Sequence, residues 1–175
     1  IKQPSLFNIK EKRQIKVDNT LFPNPYSITQ LRWWRDSRAF VFLYNQRGHQ
    51  KLCLFEVNAT NGNVRPLIEE TSETFIDYNG KFYLNILEDS AEIIWMSERD
   101  GWNHLYLYDI QSGKVKNQIT KGEWVVRSVS FVDTKNRQIW FLAGGIKTGQ
   151  DPYYIHYFRV NFDGSGFICL TSGDG

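Results

Sequence analysis

The sequence predicts an all-β chain of repeated four-stranded antiparallel sheets, and three observations carry that prediction. The first is a repeat: YNQRGHQKLCLFE, Tyr44 to Glu56, lies without a gap over SERDGWNHLYLYD, Ser97 to Asp109, at an offset of 53 residues. The second is texture. Apolar segments rich in Val, Ile, Phe, Tyr and Trp are bounded by Gly, Asn, Asp and Ser, and no 3.6-residue periodicity lasts long enough for a helix. The third is composition, since 41% hydrophobic and 15% aromatic residues in 175 suffice to fill the core of one domain. A four-stranded sheet recurring at about 50 residues is the sequence mark of a β-propeller blade. The expectation is therefore an incomplete β-propeller of about three and a half blades, where closure takes four or more.

Taken in order, Leu6 to Val17 reads as the outer strands of a preceding blade. The connector NTLFPNPY, Asn19 to Tyr26, follows, its prolines Pro23 and Pro25 too close together for regular structure between them. Residues 1–25 thus form a partial blade and connector. The first full blade spans 26–70, the second 75–121 and the third 124–172. The offset pairs Asp36-Ser37 with Asp89-Ser90, Phe40-Val41-Phe42 with Ile93-Ile94-Trp95, Gly48 with Gly101, and Leu52 and Leu54 with Leu105 and Leu107. In the third copy Gln138 to Leu142 and Ile155 to Val160 take the corresponding parts, after Trp124 to Phe131 as innermost strand and before Gly166 to Thr171 as outermost. In the second copy Phe75 to Tyr78 is expected to begin the innermost strand. GGIKTG, Gly144 to Gly149, lacks the G-K-[ST] order and leads into a strand, so it reads as a long turn and not a phosphate loop.

Charge narrows the function classes. With 21 basic and 19 acidic residues in no long block, nucleic-acid and membrane-surface binding are disfavoured, and the tract Lys10 to Lys16 reads as a solvated strand or turn. There is no run of eighteen apolar residues to form a transmembrane helix. The chain begins at Ile1 without a charged-then-apolar leader and is expected to be a piece of a longer protein. Cys53 and Cys169 sit in apolar strand-like runs, as buried free thiols do. Asn58-Ala59-Thr60 is a glycosylation sequon with meaning only in a eukaryotic secretory host. No cofactor is implied, and no cluster has metal-ligand spacing.

The polar cluster Ser97, Glu98, Arg99, Asp100, Gly101, Trp102 and His104 falls between the second and third strands of a blade, where Asp100-Gly101 is a strong hairpin signal. Its glycine recurs as Gly48, as a turn needing positive φ requires. The cluster is expected to be architectural.

SERDGWNHLYLYD and ITKGEW, with WWRDSRAFVFLYNQRGHQ before them, resemble the propeller domain of dipeptidyl peptidase IV-type prolyl oligopeptidases over roughly Ile28 to Thr171. The resemblance implies that the propeller caps a C-terminal α/β-hydrolase domain of the parent, that the pair removes dipeptides from the N-termini of peptide substrates, and that the compartment is periplasmic, cell-envelope or secreted. It implies a gating and substrate-orienting role for this chain. The alternative is a non-enzymatic propeller that serves as a protein or glycan interaction scaffold, since fold alone does not set activity. The chain by itself is expected to be inactive. No G-x-S-x-G nucleophile elbow is present, and His49, His104 and His156 are not placed as a triad base, the first two lying near equivalent hairpins and the third within a strand. The family's amine-reading glutamate pair is not carried onto Glu69-Glu70, which reads as a solvated blade end. The substrate-side candidates are Asp77 and Tyr78, in FIDYNG, where some family members carry an arginine; the competing reading is channel wall or packing. Uncovered end blades further suggest self-association of the isolated chain.

Overall fold

The computed structural model of the chain describes residues 3–171 and residue 173. Ile1, Lys2 and Ser172, which the expected domain limits include, lie outside the described residues. The short apolar segments fold as antiparallel strands joined by tight turns, because each is too short and too β-branched or aromatic for a helix and is closed by turn residues. A hairpin pairs β1 (Leu6–Asn8) with β2 (Arg13–Ile15). One four-stranded sheet runs β3 (Pro25–Trp33), β4 (Ala39–Gln46), β5 (Lys51–Asn58), β6 (Val64–Thr71). A second runs β7 (Leu84–Leu87), β8 (Glu92–Ser97), β9 (His104–Asp109), β10 (Lys114–Gln118). The third runs β11 (Val125–Asp133), β12 (Gln138–Gly144), β13 (Ile155–Asn161), β14 (Ile168–Cys169). Every sheet is a meander in chain order, the strand arrangement of a propeller blade. The only helical element among the described residues is a 3-10 turn, Glu88–Ser90, and no helix is long and apolar enough to cross a membrane. The architecture is an incomplete β-propeller.

The chain divides into two compact units between Tyr78 and Asn79. In the first, Leu6, Ile15 and Phe22 pack on one face of the β3–β6 sheet, against Phe40, Phe42, Tyr44, Cys53, Phe55 and Val57. Phe22 meets Phe42 edge-on at 5.1 Å, and the Tyr44 hydroxyl donates to the Pro23 carbonyl. The connector's prolines thus present a bare carbonyl to a buried phenol that needs an acceptor. In the second unit two sheets pack face to face. Ile94, Met96, Leu105 and Leu107 of β8 and β9 meet Ile139, Phe141, Phe158 and Val160 of β12 and β13.

Both central strands of the β7–β10 sheet are buried on both faces, whereas β12 and β13 alternate. Ile139, Phe141, Phe158 and Val160 are buried, while Trp140, Leu142, Tyr157 and Arg159 between them are half-buried.

Several sequence expectations are corrected. Phe75 to Tyr78 forms no strand; the innermost strand of the second sheet is β7, which begins at Leu84. The outermost strand of the third sheet is only Ile168–Cys169, and Cys169 is exposed where burial was expected, because so short an edge strand has nothing packed over it. Glu69 is solvated and pairs with Lys51 at 3.2 Å, but Glu70, on the opposite face of β6, is buried.

Candidate functional site

Two clusters carry the residues singled out in the sequence. The first is at the β4–β5 turn of the first unit. His49 adopts φ +57° and its N–H donates to the Gln46 carbonyl at 2.9 Å. Its Nδ1 lies 3.1 Å from Asn45 Oδ1, and since an amide oxygen only accepts, Nδ1 carries the proton. The ring stacks on Tyr78 at 4.6 Å and 24°, and meets Tyr26 and Phe75 edge-on at 4.5 and 5.5 Å.

The segment that follows β6 is strapped to this turn by main-chain bonds, from Ser72 N–H to the Gln50 carbonyl at 3.0 Å and from Ile76 N–H to the His49 carbonyl at 2.9 Å. Those bonds explain why FIDY does not extend into a strand: its donors are taken by a hairpin, not by a ladder. Tyr78 N–H donates to the Ile76 carbonyl at 2.9 Å, which closes a γ-turn with Asp77 at its centre. Tyr26 and Phe75 remain half exposed. Beside Tyr26 a groove of about 390 Å³ is lined by Asn24, Ser27, Thr29 and Arg47 among others. An aromatic platform with an arginine beside it can hold an extended chain by stacking and hydrogen bonding.

The second cluster, in the other unit, is the β8–β9 turn. Gly101 has φ +92° and donates its N–H to the Glu98 carbonyl at 2.9 Å. Buried Ser97 accepts from Arg99 N–H at 3.1 Å and from Arg99 Nε at 2.9 Å. The Arg99 guanidinium then lies over the Tyr106 and Tyr108 rings, at 4.5 and 5.4 Å. Glu98 pairs with Lys81 at 2.5 Å. Asp100 accepts from Trp102 N–H at 3.2 Å and from Gln118 Nε2 at 2.5 Å. Trp102 is 40% exposed.

His104 is fully buried and its Nε2 donates to the Gly122 carbonyl at 2.9 Å. Its Nδ1 faces the Thr120 hydroxyl at 3.0 Å, and that oxygen also receives Leu105 N–H at 3.0 Å. The third sheet repeats the device: His156 Nδ1 lies 3.3 Å from Thr171 Oγ1, which receives Tyr157 N–H at 3.0 Å. The structural counterpart of His104 is therefore His156, not His49. The signal was available as a histidine opening a strand and a threonine closing the copy 16 or 15 residues later. In these bonds the histidine rings meet amide, hydroxyl and carbonyl oxygens.

A feature that the sequence reading missed is a carboxylate in each unit held by arginine. Glu56 accepts from Trp34 Nε1 at 2.5 Å, Arg38 Nη1 at 3.2 Å and Arg65 Nε at 2.7 Å. Glu92, 2% exposed, accepts both Arg137 terminal nitrogens, at 2.8 and 3.1 Å, and Lys116 Nζ at 2.6 Å. Burial pushes the Glu92 carboxyl up, but hydrogen bonds from Arg137, Lys116 and Ser90 outweigh it and bring the pKa down to about 2. The acids lie between 9 and 45 residues from their cations along the chain, beyond the reach of pattern reading. Among the described residues no group of three or more His, Cys, Asp and Glu could hold a metal ion.

Comparison with known proteins matches residues 4–175 to the dipeptidyl peptidase IV (DPP IV) N-terminal region. Dipeptidyl peptidase 4 of Trichophyton equinum is 26% identical over 162 residues, which cover 90% of this chain and 20% of that protein. Two solved structures share the fold. Dipeptidyl peptidase 4 of Porphyromonas gingivalis has a TM-score of 0.72 and 15% identity over 98% of this chain and 23% of its own. A candidate dipeptidyl aminopeptidase IV from Bacteroides ovatus has a TM-score of 0.64 and 23% identity over 92% of this chain and 24% of its own. The chain spans about a fifth of the length of the curated relatives it matches.

Proposed function

The chain belongs to the dipeptidyl peptidase IV N-terminal region family, and from that membership we propose that it is part of the propeller that gates and orients peptide substrate for a serine exopeptidase removing N-terminal dipeptides. The observation that carries the reading is the family match along residues 4–175. Its physical content is exclusion and alignment. Sheets whose cores are filled with Phe, Tyr and Trp form a stiff wall that limits access to a reaction site carried by a separate hydrolase domain of the parent. The His49 platform supplies alignment: Asp77, at the centre of a γ-turn, and Tyr78, stacked on His49, face an extended substrate beyond its scissile dipeptide. The turn cluster from Ser97 to His104 keeps an architectural role. Chemistry is left to the parent, because this sequence carries no G-x-S-x-G elbow.

The test is made on the full-length protein with two substrates, an X-Pro chromogenic dipeptide amide and a peptide of about ten residues with the same N-terminus. Tyr78→Ala and Asp77→Asn are expected to leave kcat and the small-substrate kcat/KM within about twofold, and to lower kcat/KM for the longer peptide about fivefold, the worth of roughly 1 kcal/mol of remote binding. Equal effects on both substrates would remove the orienting role. A full-length protein that turns over neither substrate would leave an interaction scaffold. The 175-residue chain is expected to turn over neither.

A further inference from the structure

We propose that the sheet which the propeller fold calls for on the outward face of the β11–β14 sheet, the face carrying Trp140, Leu142, Tyr157 and Arg159, places an Asp or Glu carboxylate against Arg159. The inference rests on the repeat within this chain and is independent of peptide turnover.

The occupant is named by register. In the second sheet Ile94 pairs with Leu107 and Met96 with Leu105, and in the third Trp140 pairs with Arg159 and Leu142 with Tyr157. With His104 and His156 as the fixed equivalents, Ile94 corresponds to Trp140, Met96 to Leu142, Leu105 to Tyr157 and Leu107 to Arg159. The first set is what the second sheet presents to the third, where it is covered by Ile139, Phe141, Phe158 and Val160. The second set is the same face one blade later. Trp140, Leu142 and Tyr157 have the size and polarity for another such sheet, and Phe131, 57% exposed, extends the face from 5.5 Å beside Trp140.

Arg159 sets the chemistry of the partner. It stands where the preceding blade has a leucine, and its Nε is already enclosed with no hydrogen-bond acceptor. Closing an apolar sheet over a guanidinium is unfavourable unless the sheet brings an acceptor, and a carboxylate matches the guanidinium fork in both charge and shape. The seam between the second and third sheets already uses that pairing, with Glu92 on one sheet and Arg137 at the edge of the other.

The test is hydroxyl-radical footprinting of the full-length protein, each residue's rate divided by its rate in urea. Trp140 and Tyr157 are expected to oxidise on the order of tenfold more slowly than Tyr153, since burial in a seam excludes solvent, at every protein concentration; Tyr153 is 81% exposed. Arg159→Glu is expected to unfold at a lower temperature than Arg159→Met and to raise Trp140 oxidation. Replacing the acid found across the seam by Arg is expected to restore the Arg159→Glu protein. Reactivity of Trp140 and Tyr157 equal to that of Tyr153 would overturn the seam. Protection lost on dilution would assign the face to a second copy instead. Arg159→Met and Arg159→Glu proteins that behave alike would remove the carboxylate.

Discussion

Replacing Glu92 by Gln keeps the shape of the side chain and removes its charge, leaving Arg137 and Lys116 to compete for one amide oxygen. The carboxyl pKa falls from its ordinary 4.5 to about 2 in the fold, which is equivalent to roughly 3 kcal/mol. Lys116 and Arg137 are each nearly half exposed, so solvent screening reduces the expected loss to about 2 kcal/mol at pH 7. A depressed carboxyl pKa stabilises the fold fully above pH 4.5, and that stabilisation is lost as pH falls from 4.5 to about 2. The gap between wild type and Glu92→Gln should therefore close over this window, because the glutamine does not titrate. Arg137→Met should be worse at pH 7, about 3 kcal/mol, since it leaves a carboxylate with 2% exposure on Lys116 as its one cation. The assay is urea unfolding followed by hydrogen exchange at β8, β9 and β12 amides, so that the signal comes from the unit that contains Glu92. A loss below about 0.5 kcal/mol at pH 7, or a gap unchanged between pH 7 and pH 2, would refute the ion-pair account.

Two further expectations concern backbone and thiols. Gly101→Ala should destabilise by about 1 kcal/mol, since its φ is +92° but open space surrounds the new methyl; Gly62→Ala should lose roughly 2–4 kcal/mol, because its Cβ would sit 2.1 Å from the Lys16 carbonyl oxygen. Equal melting temperatures for the two variants would remove that distinction. Titration of the folded chain with a disulfide reagent at pH 8 should find Cys169 at once and Cys53 only after unfolding, since burial pushes the Cys53 thiol up to about 12; two fast thiols would contradict the burial of Cys53.

Much of this protein is local and was legible in its residues. Alternating aromatic and β-branched runs closed by Asn-Gly, Ser-Gly and Asp-Gly determine strands and hairpins, because both depend on neighbours a few positions away. The offset of 53 determines that the hairpins form repeated sheets. The exception, Phe75 to Tyr78, has strand composition, but its donors and rings are taken by the turn around His49, a choice made by contacts 26 to 29 residues away. Composition did not say which histidines are alike: His49 and His104 share a place near a hairpin, and the His-to-Thr spacing that His104 shares with His156 gains its meaning from the fold, where each threonine receives a strand N–H. Tertiary structure alone decided which faces are covered. Strand alternation sorts Trp140 from Phe141, yet whether either is buried depends on what packs there, and Glu92 owes its arginine partner to the turn that leads into a second sheet. Local sequence specifies an element through short-range sterics and hydrogen bonds. Burial and pKa belong to the assembly, because solvent is excluded only when distant elements meet.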